Sequence, residues 1–88
     1  MPYPPQEIRD KLNPSLETLI SALHSLTDDQ LDGGVEYVLV CLMVALWIPR
    51  YRNFVRVVGN LVLAVLEYYR RVGVPYEDSK IAEHGDIF

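Results

Sequence analysis

Tyr68-Tyr69-Arg70-Arg71 is the densest run of side chains able to do chemistry in this sequence, and Tyr76 and Lys80 follow within nine residues. Guanidinium groups present a planar fork of donors that suits phosphate or carboxylate, and tyrosine rings offer faces on which a base can stack. The set therefore reads as a site for a small anionic nucleotide. Arg70 and Arg71 would meet phosphate, Tyr69 or Tyr76 would stack on a base, and Lys80 would close the site. The same residues also read as an interface, with Tyr68 and Tyr69 in a core and the arginines pairing with Glu77, Asp78, Glu83 or Asp86. Both readings hold together if a pocket forms between subunits.

Other chemistries lack their residues. His24 and His84 are far apart, and the single cysteine, Cys41, lies in an apolar run, where it reads as a small buried hydrophobe. No dense set of metal ligands is present, so neither a metal nor a cofactor is expected. There is no glycine-rich phosphate loop and no Gly-x-Ser-x-Gly elbow. A helical Mg²⁺-dependent pyrophosphatase needs several paired carboxylates, and the two middle helices offer only Glu36 and Glu67. No histidine follows an arginine at the spacing that a helical ribonuclease of the Arg…His type requires. The expectation is a protein that is not an enzyme.

The charge pattern narrows the partners. Net charge is −4, but from Arg50 to Arg71 five arginines face one acid, Glu67, a balance of +4. The remainder carries three basic and eleven acidic residues, a balance of −8. An acidic chain lacks the positive field that DNA binding needs, so no DNA partner is expected. The longest uncharged apolar run, Tyr37 to Ile48, has twelve residues. A membrane helix needs about 20, so no membrane partner is expected either. The start, Met1-Pro-Tyr-Pro-Pro, has no basic region of the signal-peptide kind. Together with the lone cysteine, these features suit a reducing cytoplasm.

The elements that must position these residues follow from periodicity. Pro5 opens a short helix through Leu12, which should stop near Asn13 because Pro14 follows. Asn13-Pro14 then starts a second helix to about Leu26, with Leu16, Leu19, Ile20, Leu23 and Leu26 in one stripe. Thr27-Asp-Asp-Gln30 forms a capping box, and Asp32-Gly-Gly34 predicts a loop. The third helix, Val35 to Ile48, is apolar on all sides but Glu36, as a helix buried all round would be. The fourth, Tyr51 to Val72, sorts Arg52, Asn53, Arg56, Asn60, Glu67, Arg70 and Arg71 into one arc of about 100°, opposite an apolar arc from Phe54 to Val72. Gly59 interrupts it where another backbone or a ligand would approach closely. Gly73 closes this helix and Pro75 prevents its return. In the tail, His84-Gly85 predicts a two-residue hairpin turn that sets Ile81 opposite Phe88.

The expected architecture is all-α. It has one domain, 1–88, with an N-terminal arm (1–13), three to four helices (14–72) and an extended or hairpin tail (73–88). A chain of 88 residues that is 50% apolar cannot cover all its apolar surface alone, so a homo-oligomer is expected, joined through the third and fourth helices.

The stretch from Gly59 to Phe88, VVGNLVLAVLEYYRRVGVPYEDSKIAEHGDIF with its two leading valines, resembles a family of small phage, prophage and bacterial proteins without an assigned activity. Their C-terminal signature reads E-x-YRR-V-x-x-PYED-x-KI-x-E-N-GD-V-Y. Gly59, Glu67, Tyr69, Arg70, Arg71, Pro75, Tyr76, Glu77, Asp78, Lys80, Ile81, Glu83, Gly85 and Asp86 fit it, and the opening Met-Pro-Tyr is shared. His84 stands where Asn is usual, Phe88 where Tyr is usual and Glu36 where Asn is usual. The resemblance implies a phage-type accessory protein in a host cytoplasm. Among such proteins, sponges that sequester cyclic nucleotide signals of host immunity are the nearest analogy for the arginine and tyrosine cluster. The alternative is a module that binds and modulates a host or phage protein.

Overall fold

The computed structural model describes residues 3–88; Met1 and Pro2, the start of the predicted arm and of the Met-Pro-Tyr motif, lie outside the described residues. The protein is all-α, with no strand among the described residues: α1 (Gln6–His24), α2 (Asp28–Leu46), and a third helical segment made of α3 (Tyr51–Tyr68), a π turn (Tyr69–Gly73) and α4 (Val74–His84). The chain divides into two compact units, one holding the residues up to Ile48 and the other Pro49–Phe88.

In the first unit, α1 starts after Pro5, whose carbonyl accepts from the Ile8 and Arg9 amides at 3.0 and 3.1 Å. It then runs straight through Pro14. The predicted stop near Asn13, and with it the arm of 1–13, is not what forms. A proline inside a helix removes one backbone hydrogen bond and crowds the carbonyl four residues back, at about 3 kcal/mol. One feature offsets that here. The apolar stripe Ile8, Leu12, Leu16, Leu19, Leu23 keeps its three- and four-residue spacing across Pro14, so one helix can present it whole.

Thr27 caps α2 in the predicted box: its amide donates to Gln30 Oε1 at 3.1 Å, and its side chain accepts from the Gln30 amide. The helix continues through Gly33 and Gly34, so the predicted loop at Asp32-Gly-Gly34 does not form. The reason is packing. A Cβ on Gly34 would come within 2.7 Å of Leu26 Cδ1 and 3.5 Å of Leu23 Cδ2, so the missing side chain is the seat for the end of α1. Leu19, Leu23, Leu26, Leu31 and Val38 are half-buried along this unit. α2 ends at Leu46, and Trp47 turns extended two residues before Pro49. The predicted burial of this helix on every side is not met within the chain: Tyr37, Val44 and Leu46 are 71, 76 and 65% exposed. Cys41, expected to be buried, is exposed.

In the second unit, α3 starts after Arg50, whose carbonyl accepts from the Asn53 and Phe54 amides at 3.0 and 3.1 Å. The predicted closure at Gly73 is replaced by a π turn in which the Val74 amide donates to the Tyr69 carbonyl five residues back. Pro75 explains its position. It has no amide for the Arg71 carbonyl, and its ring would crowd that carbonyl in a regular helix. A π turn admits one extra residue and moves the bonding register by one at that point. Pro75 then sits in the first turn of α4, where its lost donor costs nothing.

The predicted hairpin tail also gives way to helix. Val74–His84 is α4, so Ile81 and Phe88 do not face each other as strand partners. Gly85, at φ 89°, ends the helix, and its amide donates to the Ile81 carbonyl at 2.7 Å. That is the left-handed glycine of a helix C-terminus, and His-Gly there is the end of a helix rather than a hairpin turn.

Gly33 lies mid-helix with nothing within 4 Å of where its Cβ would be. Gly33→Ala should therefore raise unfolding stability by about 0.5–1 kcal/mol, measured by urea denaturation. Gly34→Ala should gain less, because Leu26 must shift to admit the methyl.

Candidate functional site

The candidate site lies on the third helical segment, across the π turn. Tyr69 is the first residue of that turn, and its ring lies against the Gly73 backbone. A Cβ on Gly73 would sit 2.5 Å from Tyr69 Cδ2 and 2.9 Å from Cε2, so only glycine admits the ring. Lying along the helix, the ring carries its hydroxyl to Glu77, donating to Oε2 at 2.6 Å. Tyr69, Gly73 and Glu77 stand four residues apart in turn, so the ring fastens α3 to α4 over the irregular turn.

The electrostatics follow from that bond. Donation to the Glu77 carboxylate holds the Tyr69 phenol above its ordinary pKa of 10.0, and the loss of hydration and the negative charges of Glu77 and Asp78 push the same way. The bond is thus present in full below about pH 10 and is lost as the pH rises through the elevated pKa of Tyr69.

The two arginines share one acceptor. Arg70 Nη2 lies 2.5 Å and Arg71 Nε 3.2 Å from the same oxygen, Glu67 Oε1. The Glu67 side chain is only 13% exposed, against 66% and 60% for Arg70 and Arg71. Pairs one turn apart on a solvated helix contribute only about 0.2–0.5 kcal/mol each. Their main effect is to line both guanidiniums up beside one carboxylate. The carboxylate that meets both is on their own helix, while Glu77, one of the tail acids expected to pair with them, bonds to Tyr69.

On α4, Lys80 Nζ lies 5.6 Å from the centre of the Tyr76 ring and 3.3 Å from Glu83 Oε2. Tyr76, Lys80, Ile81 and Ile87 line a shallow groove at the end of this helix. The five predicted residues thus occur with three sets of partners: Tyr69 with Glu77, Arg70 and Arg71 with Glu67, and Tyr76 with Lys80. Gly73 and Glu77 belong to the site and were not assigned to it from sequence. Their signal was the Tyr-x-x-x-Gly-x-x-x-Glu spacing. Among the described residues no group of three His, Cys, Asp or Glu side chains could hold a metal ion. No helix among them is long and apolar enough to cross a membrane.

An all-α chain with a tyrosine-bridged π turn is thus the class that fold and site define. The chain belongs to the family described as domain of unknown function DUF6899, which matches residues 1–87. No curated protein and no solved structure matches it.

Glu77→Gln should lower the Tyr69 pKa toward 10.0, because the carboxylate that opposes phenol ionisation is gone. Gly73→Ala should do the same by displacing the ring. Tyrosinate absorbance against pH, with Tyr69→Phe identifying the transition, checks both.

Proposed function

We propose that this protein is a non-enzymatic interaction module that works as a homo-oligomer. The observation that supports this reading is the apolar surface left uncovered. Among the described residues no apolar side chain is buried, and the only buried residue is Asn53, at 4%. Within the second unit the apolar arc of α3 is left uncovered, with Val55, Val58, Val62 and Val65 each more than half exposed. Covering it with further copies removes the surface without a second gene product, and closed symmetric assemblies are the usual form.

A second reading is favoured by one observation. Two guanidiniums, both more than half exposed, stand side by side on one carboxylate, and Tyr76 and Lys80 follow on α4. In a phage-type setting, in a host cytoplasm, such a surface suits a sponge that sequesters a small anionic cyclic nucleotide between subunits as an anti-defence device. Arg70 and Arg71 would take the phosphates, Tyr69 or Tyr76 the base, and Lys80 the rim.

Two measurements separate these readings. Light scattering at micromolar concentration should return a mass well above 10.1 kDa; a monomer mass would overturn the first reading. Isothermal titration with cyclic di- and trinucleotides tests the second. Binding tighter than about 100 µM that is lost in Arg70→Ala with Arg71→Ala would support it, and no heat from any of them would remove it.

A further inference from the structure

α3 carries a coiled-coil seam that its unit leaves uncovered. Tyr51, Val55, Val58, Val62 and Val65 follow one another at steps of four, three, four and three, the spacing of alternating a and d positions in a heptad. They are 81, 55, 60, 51 and 66% exposed. The surface between them repeats as well. One shallow groove is lined by Phe54, Val55, Val58 and Gly59. The next is lined by Leu61, Val62, Val65 and Leu66, each seven residues after its counterpart. The grooves thus repeat at the heptad spacing of the seam.

The residue types agree with that use. Valine is a poorer helix former than leucine or alanine, so a run of valines on a helix face lowers the stability of the helix alone. It becomes advantageous once the face is covered, because χ1 of valine is already restricted in a helix and little freedom is lost on burial. The seam also has a defined end. The next position in the series is Tyr69, where the π turn begins. The extra residue of that turn breaks the heptad phase, so the seam cannot continue into α4 in register.

We infer that α3 pairs with α3 of a second copy of this chain along the seam from Tyr51 to Tyr69, over about 27 Å of helix. A second copy is the occupant because a heptad seam is complementary to itself. The positions flanking it, Phe54, Gly59, Leu61, Leu66 and Tyr68, are uncharged, so only Arg52 marks the edge and no charge pattern calls for a different helix. The inference rests on the self-association proposed above and names the helix that performs it.

The test uses the full chain. Wild-type mass is measured first, then that of Val58→Glu with Val65→Glu, which places charges in the seam, and of Asn60→Glu, which places one on the polar arc of α3. The seam variant should dissociate about a hundredfold or more readily, reaching 10.1 kDa at micromolar concentration. Asn60→Glu should keep the wild-type mass. A second measurement does not depend on the charged variant folding. In a Cys41→Ser background, Val58→Cys with Val62→Cys should form a covalent dimer on mild oxidation in either helix direction, and Arg56→Cys with Asn60→Cys, outside the seam, should not. A wild-type monomer would overturn the self-association and the seam together. An oligomer that keeps its mass in the seam variant and shows no cross-link at 58 and 62 would overturn the seam alone and leave self-association standing.

Discussion

Hydrophobic surface without a place to go is the constraint from which the rest of this protein follows. Half of its residues are apolar, and its helices are paired too sparsely to enclose them. α1 and α2 meet along a half-buried seam in which Gly34 leaves room for Leu23 and Leu26. The third helical segment has no second element in its own unit to pack against. A helix of this kind owes its stability in water mostly to the covering of its apolar face. The long arginine-bearing segment, the tyrosine that braces it and the groove at its end all depend on that cover being supplied.

The brace at Tyr69 shows how a local defect can be turned into a joint. Pro75 would break a regular helix, and the π turn lets the chain pass it without changing direction into a loop. The widened turn leaves a backbone weaker than the helix on either side. A ring laid over Gly73 and hydrogen-bonded to Glu77 spans that weak point from one end to the other. The same brace gives Glu77 a partner other than the arginines, both of which meet Glu67.

Much of the helical framework was legible in the residues. The capping box at Thr27, the start after Arg50 and the end before Pro49 are all local signals, and each is where its residue types require. The errors share one cause. Pro14, Gly33-Gly34, Gly73-Pro75 and His84-Gly85 are punctuation by composition, but each meaning is decided by neighbours. Pro14 is overridden by a stripe that continues on both sides. Gly34 is a contact surface for Leu26. Gly73 is a seat for a ring, and Gly85 alone is the stop. The site was legible as a cluster and not as an arrangement, since which acid meets which base depends on a turn type that single-residue preferences do not announce.

The π turn also sets the facing of α4. It absorbs one residue that a regular helix would turn into about 100° of rotation around its axis. The same sequence in an unbroken α-helix would keep every side chain of α4 and aim them all elsewhere. Tyr76 and Lys80 would then leave the side on which they now stand relative to Arg70 and Arg71. The angular phase of the C-terminal helix is thus carried by the type of a single turn.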